Sequence, residues 1–230
     1  MPLNFIITGS SRGIGRALAL KVKQENQFCI GLARSKSPEI LDQQYQIDLT
    51  DTARVTEWVE QLTLPGEGAV WLVNNAGVLD PVGMVGKLQN KEIEKHLLLN
   101  LVAPMILSNS LLARFGNQRL NVLNISSGAA SNPYSGWSSY CVSKAGLEMF
   151  ARVLSQEQKG MRVLSVAPGT VDTEMQRLAR EKPEQDFPMK EKFVQLFKTN
   201  SLTKPAIVAE KIYSLILQNN KSGIFDLRYS

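Results

Sequence analysis

Tyr140 and Lys144 stand four residues apart in Ser138-Ser139-Tyr140-Cys141-Val142-Ser143-Lys144. On a helix that spacing puts a phenol and an ammonium on one face. An ammonium beside a phenol favours the phenolate and lowers a pKa that starts at about 10. A tyrosine tuned in this way can give or take a proton near neutral pH. Ser127 lies upstream in Asn124-Ile125-Ser126-Ser127-Gly128, where an apolar run ends. If that run is a strand, the Ser127 hydroxyl projects into the same crevice and can hold a carbonyl oxygen. Together the three groups suit proton transfer at a carbonyl or alcohol.

A second constellation lies near the start. Thr8-Gly9-Ser10-Ser11-Arg12-Gly13-Ile14-Gly15 follows an apolar run and precedes a helical pattern. Glycines at such a turn let a phosphate approach the backbone, and the helix N-terminus presents free N–H groups to it. The spacing Gly-x-x-x-Gly-x-Gly differs from the common Gly-x-Gly-x-x-Gly, and no Gly-Lys-Ser/Thr follows to make a P-loop. Where an acidic residue would bind the ribose hydroxyls of NAD, the chain has Ala33-Arg34-Ser35. Arg34 and Arg12 together suit a 2′-phosphate, so the expected cofactor is NADP(H) rather than NAD(H).

The rest of the composition narrows the chemistry. The chain has 230 residues, 43% of them hydrophobic and 20% charged, which suits one folded domain over 1–230. Two cysteines and one histidine leave little for a Cys/His metal site or a disulfide framework, and no metal is expected. Cys29 reads as a strand-core residue, Cys141 as a small packed residue and His96 as a surface helix position. The net charge of +5 is scattered among acids, which suits a solvated surface and not a nucleic-acid face. No apolar stretch reaches about 18 residues, so no membrane span is expected. The N-terminus lacks the features of a signal peptide, and a cytoplasmic location with reduced thiols is expected.

These groups need elements to hold them. Continuous apolar runs predict strands at 3–8, 28–33, 45–48, 69–74, 120–125, 162–167 and 223–228. Helical patterns fall at 13–26, 51–62 with Thr50 as N-cap, 88–115 interrupted by Pro104, 138–159 and 204–218. Unbroken apolar strands alternating with helices predict a parallel sheet covered on both faces, a doubly wound Rossmann-type α/β domain of about seven strands. The charged stretch 170–200, with Pro183 and Pro188 inside it, breaks the rhythm and reads as a substrate loop or lid.

The joint pattern resembles the short-chain dehydrogenase/reductase family over essentially the whole chain. The resemblance rests on Thr8–Gly15, Asp48-Leu49-Thr50, Asn74-Asn75-Ala76-Gly77, Asn100, Ser127, Tyr140, Lys144 and Pro168-Gly169-Thr170-Val171-Asp172-Thr173. It implies hydride transfer between a nicotinamide and a carbonyl or alcohol. It also implies that Tyr140 is the general acid, that Lys144 lowers its pKa and binds the nicotinamide ribose, and that Ser127 polarises the carbonyl. Asn100 would hold a water in the proton relay. Pro104 gives that a physical reason, because it has no N–H for the helical bond to the carbonyl of residue 100. The cofactor would lie along Gly9, Ser11, Arg12, Gly13, Ile14 and Gly15, then Arg34. Asp48 and Leu49 would face the adenine, and Asn74, Asn75, Ala76 and Gly77 would follow its length. Pro168, Gly169, Val171 and Thr173 would sit at its carboxamide end.

Within the family, the segments Ser126–Gly146 and Pro168–Gln176 are more similar to sepiapterin reductases and benzil reductases. That implies reduction of a ketone beside a second carbonyl. Tyr134, Trp137 and Met175, with Phe187 and Phe193, could line an apolar substrate pocket. Sepiapterin reductases anchor the pterin by an aspartate near the C-terminus. Here Asp226 falls one position early, and a one-residue slip in a strand turns a side chain to the other face. The expectation is therefore a benzil-type diketone reductase; sepiapterin or 3-oxoacyl reduction are alternatives. An NADP(H)-sensing regulator is the non-enzyme alternative, and such proteins lack the Tyr-Lys pair or the serine. The resemblance also suggests a homodimer through the two long helices.

Overall fold

The computed structural model describes residues 2–37, 41–218 and 221–229. Seven strands form one all-parallel sheet: β1 (Asn4–Thr8), β2 (Phe28–Ala33), β3 (Gln43–Gln46), β4 (Val70–Asn74), β5 (Leu120–Ile125), β6 (Val163–Ala167) and β7 (Gly223–Asp226). Their order is β3-β2-β1-β4-β5-β6-β7. The order reverses between β1 and β4, and the crevice at their carboxyl ends is where such sheets bind ligands.

The central strands β1, β4, β5 and β6 are buried along their whole length because both faces are covered. Phe5 and Ile7 of β1 face one side, with Trp71 and Val73 of β4. There they pack on Leu18 and Val22 of α1 (Gly13–Gln24) and on Val208 and Ile212 of α8 (Pro205–Gln218). Ile6 and Leu72 face the other side, against α2 (Thr52–Gln61), α4 (Ala103–Phe115) and α5 (Ser138–Glu157). A side chain such as Leu107 of α4, wholly buried, contributes about 1.5–3 kcal/mol.

Three local readings of the sequence change. The cap of α2 is Asp51, whose carboxylate accepts from the Arg54 N–H, while Thr50 is bonded back to the Asp48 carboxylate. β3 begins two residues earlier than its apolar character suggested, because it is a half-buried edge strand of Gln and Tyr. Pro104 does not break its helix. After α3 (Asn90–Leu97) the chain makes a π turn over Leu98–Val102, in which the Ala103 N–H reaches back to the Leu98 carbonyl. The helix runs on without a gap as α4, with Pro104 in its first turn. The continuous helix Asn90–Phe115 is long and apolar enough, by length and composition alone, to cross a membrane. In the fold it is a core helix, with Leu107 and Leu111 fully buried.

The 170–200 region carries two helices, α6 (Glu174–Glu181) and α7 (Lys190–Lys198). It is seated on the body of the domain by Phe187, which is fully buried and stacks on Trp137 at 4.6 Å between centroids. Lys182 at the end of α6 pairs with Asp80 in the loop after β4.

Candidate active site

The crevice opens at the switch point between β1 and β4. The two strands are clipped together there by side chains. Thr8 Oγ1 accepts from the backbone N–H groups of Asn75 and Ala76 at 2.9 and 3.0 Å, and Asn75 Nδ2 donates to the Thr8 carbonyl at 2.8 Å. Gly9 turns the chain at φ +67°, a conformation that favours glycine. A Cβ on Gly15 would lie 2.3 Å from Asn75 Nδ2 and 2.4 Å from the Gly9 carbonyl oxygen, so only glycine fits. The result is bare backbone at the start of α1, whose first turn carries no acidic residue. That arrangement fits a dinucleotide's phosphates.

A cleft of about 500 Å³ runs from this loop to α5. Gly9, Ser11, Arg12, Gly13 and Ile14 line its first part. Arg34, Asp48 and Leu49 line the flank near β2 and β3, and Asn75, Ala76 and Gly77 the middle. Ser127, Tyr134, Trp137, Tyr140 and Lys144 form the far wall, faced by Pro168, Gly169, Val171, Thr173 and Met175. Gly15 and Asn100 are not among the lining residues. Gly15 underlies the loop, and Asn100 is buried one layer behind Gly77 and Val78. Phe187, expected in the substrate pocket, is instead the fully buried support behind Trp137.

The far wall sits on the N-terminal half of α5. Ser127, at the mouth of β5, accepts from the Ala129 N–H at 3.2 Å and lies close enough to the Tyr140 hydroxyl to ease loss of its proton. Lys144 is buried, and its ammonium donates to the Ile125 carbonyl at 2.7 Å. Its Nζ lies 5.7 Å from the centre of the Tyr140 ring. The protonation pattern differs from the one expected from spacing alone. Burial pushes the Tyr140 hydroxyl up to about 12, partly opposed by Ser127. Burial also brings Lys144 down to about 8. Desolvation outweighs the attraction of the pair because the ammonium is engaged by a backbone carbonyl and not by the phenol. A protonated phenol is thus the resting state of this wall.

Around Tyr140 the cleft is aromatic. Trp137 meets Tyr140 edge-on at 5.6 Å, Tyr134 at 5.3 Å and Phe193 at 5.2 Å. Among the described residues the buried Trp137 indole N–H has no hydrogen-bond partner, which costs about 1–3 kcal/mol.

Several lining residues were not expected. Ser35 lines the cleft beside Arg34, and its hydroxyl donates to Ser11 Oγ at 3.2 Å; its place next to Arg34 was the available signal. Arg228 reaches the cleft from beyond β7, with its stem against Gly169 and its guanidinium held by Asp226. Leu227, between them, is buried in the core. His96 is not a surface residue: it is buried at hydrogen-bonding distance from Asn100. The spacing of four from Asn100 was the overlooked sign, since it places both on one helix face.

Comparison with known proteins agrees with this geometry. A family profile described as short chain dehydrogenase matches residues 4–184. The chain is 37% identical over 237 residues to a benzil reductase ((S)-benzoin forming) of Bacillus subtilis, covering 97% of this chain and 98% of that one. It is 33% identical over 236 residues to the sepiapterin reductase of Meriones unguiculatus, covering 92% and 90%. Among solved structures, the KRED1-Pglu enzyme superposes with a TM-score of 0.87 at 28% identity, covering 98% of this chain and 100% of that one. The profile spans most of the chain, and both curated relatives exceed 30% identity over more than nine-tenths of it, so the chain belongs to the short-chain dehydrogenase/reductase family of oxidoreductases.

Proposed function

We propose that the protein is an NADPH-dependent carbonyl reductase that converts one carbonyl of a benzil-like 1,2-diketone to the hydroxy ketone. The observation that carries this reading is the Ser127–Tyr140 hydroxyl pair set beside the aromatic wall of Trp137, Tyr134 and Phe193. The bound nicotinamide would supply a hydride to the carbonyl carbon. Ser127 and Tyr140 hold the reacting oxygen. Tyr140, protonated at rest, gives it the proton, and the Lys144 ammonium steadies the phenolate left behind. With its amide engaged by Val78 and His96, Asn100 would hold a water through its backbone carbonyl, for which Pro104 has no N–H.

Arg12, Arg34, Ser11 and Ser35 support NADPH, since two guanidiniums and two hydroxyls at one corner suit a phosphate on the adenosine ribose. The 170–200 segment serves as the lid, excluding water from the reacting oxygen. Met105 on α4 and Val142, Met149 and Val153 on α5 are exposed apolar residues and support a homodimer through these helices. The name of the Meriones relative favours sepiapterin as a second substrate reading. Against it, Asp226 is engaged by Arg228, and Leu227 is turned into the core. The test is stoichiometry with benzil: one benzoin formed per NADPH oxidised supports the reading. No turnover of any 1,2-diketone, with brisk reduction of another ketone class, refutes it.

A further inference from the structure

His96 is the chain's single histidine and is 1% exposed. Its Nδ1 lies 2.7 Å from the Asp80 carbonyl oxygen, which can only accept. Nδ1 therefore carries the proton, and in a neutral ring Nε2 is left as an acceptor. Asn100 Nδ2 donates to it at 3.0 Å, and Ser143 Oγ lies beside it at the same distance. The remaining bonds of Asn100 then have one consistent arrangement. Its second Nδ2 hydrogen goes to the Val78 carbonyl at 2.8 Å, and its Oδ1 accepts from the Val78 N–H at 2.9 Å. The single Ser143 hydroxyl hydrogen is shared between Nε2 and the Tyr140 carbonyl, which it meets at 2.9 Å one turn earlier on α5. The imidazole thus joins three segments: the loop after β4, the π turn that carries Asn100, and the turn of α5 that carries Tyr140. Its ring stands edge-on to the Tyr140 ring at 6.2 Å.

From this geometry we propose that His96 is a positioning residue. As a neutral Nδ1-protonated imidazole it fixes the Asn100 amide against Val78 and ties that clasp to the Tyr140 turn, so that the catalytic wall and the middle of the cleft keep their spacing. The inference rests on the reductase reading for its kinetic consequence, but not for its structural one.

The charge environment agrees with a neutral ring. Burial lowers the affinity of His96 for a second proton, and the Lys144 cation on α5 lowers it further. The backbone bonds to Asp80 and Ser139 and the Asp80 carboxylate act in the opposite direction, though that carboxylate is already paired with Lys182. Tyr140, the other titratable group against the ring, keeps its proton. A proton on Nε2 would face the Asn100 N–H and remove its acceptor, so acid would release the clasp.

With one histidine, imidazole ¹⁵N NMR of the untagged protein reads His96 alone. The expected spectrum is the Nδ1-H tautomer at pH 7, persisting at pH 6. The Nε2-H tautomer, or titration at the ordinary value of about 6.5, would overturn the proposal. Two variants supply the functional arm. His96→Phe removes both ring nitrogens; His96→Gln keeps an oxygen that can accept from Asn100. His96→Phe should lose at least about tenfold in kcat, with KM for NADPH within about threefold, and should speed hydrogen exchange at the Val78 amide. His96→Gln should return kcat to within about threefold of wild type. Wild-type kcat in His96→Phe, or equal loss in both variants, contradicts the positioning role. If the wild type reduced no ketone, the reductase reading would fall, while the tautomer and the Val78 exchange rate would still decide the clasp. The NMR arm needs no variant to fold.

Discussion

At the glycine-loop end of the cleft, Arg12, Arg34 and Asp48 are exposed, whereas at the α5 end Tyr140, Lys144 and His96 are all at most 8% exposed. The first end works with water-screened charges laid over bare backbone. Its ligand preference follows from which charges are present. At the second end burial decides protonation: the phenol is raised, the ammonium lowered and the imidazole kept neutral. The contrast teaches that binding and chemistry fail differently here. Changing a charge at one end should alter cofactor choice, and changing a buried group at the other should alter turnover.

Tyr140→Phe tests the buried end most severely. It removes the acid and keeps the ring, so turnover should fall by about 10²–10⁴-fold while NADPH binding, followed by fluorescence, persists. Retention of a tenth of wild-type turnover would show that another group gives the proton. Arg34→Asp tests the exposed end. KM for NADPH should rise by more than about tenfold and use of NADH improve. A wild type that already prefers NADH would show that Arg12 and Arg34 are not a phosphate clamp.

The pH dependence sharpens the comparison. Lys144, brought down to about 8, is charged below that pH and neutral above it. Reduction leaves a phenolate that needs the ammonium, so kcat should decline as pH rises through about 8, by up to about tenfold per pH unit. A flat profile to about pH 9.5 would separate Lys144 from the chemistry. His96 gives a stability effect of opposite direction. Its folded pKa is lowered, so the unfolded chain binds the extra proton first as pH drops below about 6.5. Stability should then fall by up to about 1.4 kcal/mol per pH unit, and His96→Phe should remove that slope in denaturant titrations. The smallest effect is expected at the C-terminus. Asp226→Ala frees Arg228 but removes nothing that lines the cleft, so benzil turnover should stay within about threefold.

How much of this was legible in the sequence differs between the two ends as well. The glycine loop, Arg34 and the Tyr-Lys spacing are contiguous or periodic, and they lie where the apolar runs said strands would end. The sheet was legible for the same reason, since β5 needs only its run Leu120–Ile125 to be recognised. The edge strand β3 was displaced because glutamines carry no apolar signal. The fate of the buried groups was hidden, because it depends on what packs over them. Nothing near His96 in the chain announces the Asp80 carbonyl that turns it inward. Likewise Phe187 looked like a pocket residue until its stacking on Trp137 placed it in the core. Pro104 suggested an interruption, whereas the π turn before it absorbed the mismatch.

The most direct test of the central claim is one assay of purified protein with benzil, sepiapterin and an acetoacetyl thioester, each with NADPH and with NADH. The account predicts the highest kcat/KM for benzil with NADPH, and a clear preference for NADPH over NADH on that substrate. Preferred turnover of sepiapterin that collapses in Asp226→Ala, or faster benzil reduction with NADH, would contradict it.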